Sequence, residues 1–62
     1  MKYSELHRLL KRYGCYDTGE QEAGHPIWYS PITDNEFPTS NHQSKEVAIG
    51  TLKNILKLAG IR

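Results

Sequence analysis

Near the end of the chain, Leu52, Ile55, Leu56 and Ala59 recur at i, i+3, i+4 and i+7, the spacing of an apolar stripe along one side of a helix. Gly60 follows, a residue able to take the left-handed conformation that ends a helix, and Ile61 is placed to fold back onto Leu56. Lys53 and Lys57 lie one turn apart on the opposite, wet face. The same spacing recurs at the start, in Leu6, Leu9, Leu10 and Tyr13, and predicts a first helix over residues 3–13 that Gly14 stops. Ser4 and Glu5 suit its first turn. Arg8, Lys11 and Arg12 form a basic stripe beside the apolar one.

Between residues 15 and 41 the helical period disappears. Three short strands are predicted, about Cys15 to Thr18, about His25 to Ser30 and about Glu36 to Ser40. Gly19 and Gly24 punctuate the first connection, and residues 31–35 supply the second turn. In the middle strand His25, Ile27 and Tyr29 alternate with Pro26, Trp28 and Ser30. Two helices must cover one face of the sheet, and Trp28 is the natural anchor beneath them. His25, Ile27 and Tyr29 are then left on the open face. The expected fold is α+β, in the order α-β-β-β-α. A three-stranded antiparallel sheet carries both helices on one face and resembles a small double-stranded-RNA-binding fold.

Sixty-two residues imply one domain over 1–62. A chain of this size buries only about 60% of the surface its unfolded form exposes, so help from outside the core is expected. A single cysteine, Cys15, excludes an internal disulfide, which leaves a protein partner as that help. The start runs directly into a helical pattern, and no apolar run reaches membrane length, so a cytoplasmic protein without a membrane partner is expected. The 8 basic and 7 acidic residues nearly cancel, yet they are unevenly placed. Arg8, Lys11 and Arg12 sit near one end, and Lys53, Lys57 and Arg62 near the other. Asp17, Glu20, Glu22, Asp34 and Glu36 lie between. Local fields steer a ligand more than the net sum does.

The opening Tyr3-Ser4-Glu5-Leu6, then Leu9-Leu10 and Gly14, is similar to the first helix of HicA toxins. Ala23-Gly24-His25, with Trp28 three residues on, stands where that family usually carries Gly-Ser-His and an aromatic. His42 occupies the place of a second histidine before the last helix. Lys45-Glu46, Gly50-Thr51-Leu52, Ile55-Leu56 and Ala59-Gly60-Ile61 match the closing pattern. This resemblance implies an RNA-cleaving toxin, an mRNA interferase, with His25 as its catalytic residue. It also implies neutralisation by a HicB-type antitoxin.

The chemistry is consistent with that implication. RNA carries its own nucleophile, the 2′-hydroxyl, so cleavage needs a base to take its proton and an acid for the leaving 5′-oxygen. Histidine serves both tasks near neutral pH without metal or cofactor. Taken alone, a strand histidine is ordinarily a solvated surface residue, and only the family pattern favours His25 as acid/base. His42, in the polar run Asn41-His42-Gln43-Ser44, reads equally as a solvated loop residue or as an RNA-binding group. His7, beside Arg8, is expected to be exposed. The three histidines lack the close spacing and the companion carboxylate or cysteine of a zinc site.

Gly50 and Thr51 are expected to open the last helix, where backbone N–H groups could hold a phosphate with Lys45 and Lys53 nearby; ordinary capping explains them as well. Arg8, Lys11, Arg12, Lys53 and Lys57 could track an RNA backbone or simply be a solvated face. Cys15 reads as a small core or strand side chain. Tyr3, Tyr13 and Trp28 are expected in the core. Ile27 and Tyr29, beside His25 on the open face, are the expected partner-binding patch. Two other classes stay open, a non-catalytic RNA-binding module and an interaction protein of the same fold.

Overall fold

Both helices stop in the same way. Gly14 and Gly60 adopt left-handed backbone, with φ of 88° and 78°. In each case the glycine N–H donates to the carbonyl three residues back, of Lys11 or Lys57. The next N–H reaches five residues back, from Cys15 to Leu10 and from Ile61 to Leu56. This paired closure satisfies carbonyls that a helix end otherwise leaves open. It also turns Cys15 and Ile61 inward, where both are buried. The expectations for Gly60, Ile61 and Cys15 hold.

The computed structural model describes residues 1–61; Arg62, counted above among the basic residues, lies outside the described residues. The elements are α1 (Tyr3–Arg12), β1 (Tyr16–Glu22), β2 (His25–Ser30), β3 (Asn35–Pro38) and α2 (Ile49–Ala59). The three strands form one antiparallel sheet with β2 in the middle. The expected α-β-β-β-α order is therefore the observed one.

The buried face of α1 is displaced by one turn from the expected stripe. Tyr3, Leu6, His7 and Leu10 are buried, again at i, i+3, i+4 and i+7. His7, expected to be exposed, takes the place of an apolar residue. Tyr13, expected in the core, is 44% exposed, because the helix ends at Arg12 and Tyr13 is its cap. At the other end of α1 the Glu5 carboxylate accepts the Lys2 N–H at 2.9 Å. The N–H groups of Tyr3 and Ser4 donate to the carbonyls of Lys45 and Gln43, at 3.0 Å each. Helix α2 begins at Ile49, one residue before the expected start. It buries Ile55 and Ala59, and it packs Leu52, Leu56 and Leu58 partly against the core.

Strand β1 runs four residues beyond the expected end. Its sequence is polar and almost wholly exposed, so no apolar alternation marks it. Pairing with β2 and a bulge between Asp17 and Gln21 hold it in place. The Thr18 hydroxyl ties that bulge down by donating to the Ile27 carbonyl at 2.7 Å. Ala23 and Gly24, both with positive φ (53° and 82°), form the two-residue turn between the paired Glu22 and His25. That is the turn geometry favoured in tight hairpins. Strand β3 ends at Pro38, two residues before the expected end, and Thr39 and Ser40 leave the sheet yet remain buried.

Trp28 faces the helices as expected and is 3% exposed. Ser30, on the same face, donates to the Ala59 carbonyl at 2.7 Å and fastens α2 to β2. The opposite face is less open than the alternation suggests. Ile27 is only 8% exposed and lies among Glu20, Glu22, Glu36 and Pro38, so it cannot be a free apolar contact. Tyr29 is half-buried. Its hydroxyl donates to Asp34 at 2.7 Å, and its ring tilts against exposed Tyr16 with 5.4 Å between centroids.

Candidate functional site

At the start of β2 the chain leaves the Ala23-Gly24 turn and presents His25, exposed, on the first strand residue. Beyond β3 it passes Thr39 and Ser40 and returns towards the start of α1. A groove of about 360 Å³ opens where these segments meet. Tyr3, His25, Pro38, Thr39, Ser40, His42, Lys45 and Thr51 line it. Two histidines, a lysine and the first turn of α2 thus converge from three separate parts of the chain. His42 and Lys45 are exposed on a loop whose course is fixed by hydrogen bonds. The Ser40 hydroxyl accepts the His42 N–H at 3.1 Å, and the Lys45 N–H donates to the His42 carbonyl at 3.0 Å.

His7 fixes the same loop from beneath. Its ring stacks on Trp28, and its two nitrogens bond Thr39 Oγ1 at 2.9 Å and Gln43 at 3.2 Å. One imidazole therefore holds the loop on both sides of His42. Burial, the largest influence, keeps the His7 pKa below 6.5, and Lys11 acts in the same sense, while Gln43 and Asp17 oppose them. The stacking also accounts for how the Trp28 indole is held. Its Nε1 is buried and has no hydrogen-bond partner among the described residues. Reading for apolar stripes missed His7, although its spacing from Tyr3 and Leu10 marks the buried face.

The other sequence-chosen residues lie elsewhere. Arg8 and Lys11 line a second groove of about 490 Å³ with Ser4, His7, Asp17, Pro26, Trp28, Asn41 and Gln43. Arg12, Lys53 and Lys57 are exposed on the helices and line neither groove. Ile27 lies in a third, acidic groove with Glu20, Glu22 and Glu36. Gly50 has ordinary helical backbone and does no special work in the turn. Among the described residues no three His, Cys, Asp or Glu side chains gather as a metal site, and no helix is long and apolar enough to cross a membrane.

No curated protein and no solved structure matches the chain. A family model described as the HicA toxin of bacterial toxin–antitoxin systems matches residues 3–61. The matched span runs from the first residue of α1 to the isoleucine that closes α2, and it includes every residue lining the histidine groove. On that coverage the chain belongs to the HicA family of toxins from bacterial toxin–antitoxin pairs.

Proposed function

We propose that the chain is a metal-independent endoribonuclease, an mRNA interferase, with His25 as general acid/base and a HicB-type antitoxin as its inhibitor. The supporting observation is that His25 shares one groove with His42 and Lys45, which lie on a loop distant from it in sequence. In the proposed reaction the RNA 2′-hydroxyl attacks the adjacent phosphorus and gives its proton to one imidazole. The bond from phosphorus to the 5′-oxygen breaks, and the second imidazole protonates that oxygen. The products are a 2′,3′-cyclic phosphate and a free 5′-hydroxyl. His25 and His42 supply the two proton transfers, typically 10²–10⁴-fold each. Lys45 and the first turn of α2 at Thr51 lie where they can offset the growing charge on the phosphate oxygens.

A non-catalytic RNA-binding module would use the same cations but would not need two histidines in one groove. Expression of wild type and His25→Ala in a bacterium, with growth and messenger RNA length as readouts, separates the two readings. Growth arrest and RNA shortening should vanish in the variant, and its melting temperature should stay near wild type because His25 is exposed. Cleavage retained by purified His25→Ala protein would remove His25 from the chemistry.

A further inference from the structure

We propose that the second groove, between α1 and residues 41–43, is a subsite for the nucleotide adjoining the scissile phosphate. This rests on the endoribonuclease reading and adds a path for the strand. The two grooves divide three sets of chain neighbours between them. Tyr3, His25 and His42 line the first, while Ser4, Pro26, Asn41 and Gln43 line the second. The two grooves therefore adjoin along the same three segments, and a strand leaving the histidines over those segments reaches the second groove.

Charge selects this exit. The hairpin that carries His25 also carries Glu20 and Glu22, which line the third groove with Glu36 of β3 and repel a polyanion. The second groove instead carries Arg8 and Lys11, exposed about one turn apart on α1, with Asp17 as its one acidic lining residue. Those two cations suit a phosphate. Pro26 and Trp28 are buried and close the floor, so a ligand rests on the groove rather than entering the core. Gln43 is committed to His7. That leaves the exposed Asn41 amide and the Ser4 hydroxyl as the neutral groups able to meet a base edge.

Substrates of deoxynucleotides carrying one ribonucleotide fix the point of cleavage, because only that residue has a 2′-hydroxyl. Adding one deoxynucleotide to either side of a minimal substrate should raise kcat/KM on one side only, by about tenfold, the worth of one charge-assisted phosphate contact. The readout is that gain, taken as a ratio within each protein. In Arg8→Ala/Lys11→Ala protein the ratio should fall close to one, and Asn41→Ala should change the base preferred at the added position. An unchanged ratio in the double variant overturns the subsite and leaves cleavage at His25 standing. If wild type cleaves no ribonucleotide-bearing strand, the enzyme reading fails and the subsite with it.

Discussion

His7 and Trp28 stack with 4.6 Å between ring centroids and 22° between ring planes. The stack joins α1 to the central strand, and the two nitrogens of the same imidazole hold the loop that carries His42. Core packing and the candidate site are therefore joined through one titratable ring.

Acid should act through that ring. A histidine held below its ordinary pKa binds protons more readily in the unfolded chain, so lowering pH favours unfolding. The loss of stability begins as pH falls through 6.5, the ordinary value, and stops growing below the folded-state value. Urea midpoints across that range should decline in wild type and decline less in His7→Gln. Parallel curves for the two proteins would place the sensitivity in another group.

The hairpin before His25 contains an alanine in left-handed backbone, at φ 53°. Asparagine visits that region at little cost, and Asn-Gly is the favoured pair for such a turn. Ala23→Asn should stabilise the protein by about 0.5–1 kcal/mol, since a left-handed residue of ordinary type costs about 1–2 kcal/mol. A lower denaturation midpoint in this variant would contradict the turn geometry.

The two helix-ending glycines offer a matched comparison. A Cβ on Gly14 would meet only Pro31 Cγ at 3.4 Å, but one on Gly60 would lie 2.7 Å from Thr33 Cγ2 and 2.9 Å from Ile32 Cγ2. Gly14→Ala should cost about 1 kcal/mol for the backbone alone. Gly60→Ala should cost more, because the turn after β2 must also move. Equal losses in chemical denaturation would show that the second turn yields freely.

The partner experiment follows from where the open face is closed. Ile27→Asp places a carboxylate at a buried position and should unfold the chain or lower its melting temperature sharply. Tyr29→Asp and Tyr16→Asp change exposed or half-buried rings and should leave the fold intact while weakening the antitoxin complex. Calorimetry showing full affinity in both tyrosine variants would move the antitoxin to another surface.

What could be read from the sequence divides along physical lines. The stripe of α2 and the stops at Gly14 and Gly60 are local, so periodicity and one permissive residue reveal them. Strand β1 hides because an exposed edge strand needs no apolar alternation, and its register comes from β2. His7 hides because an imidazole can be buried only when distant groups complete its hydrogen bonds, here Thr39 and Gln43. His25 and His42 were each recognisable, but their shared groove depends on where a buried Thr39-Ser40 segment carries the chain after β3.

The contact between Tyr3 and Lys45 also has a meaning in time. The groove needs Tyr3 early in the chain and Thr51 late in it, and the N–H groups of Tyr3 and Ser4 find their acceptors at Lys45 and Gln43. A ribosome delivers residues in order, at about 5–20 each second. Both groove histidines are made before Thr51, so for that interval the growing chain carries them without the groove that holds them. The groove proposed as the site is complete only when the last helix arrives.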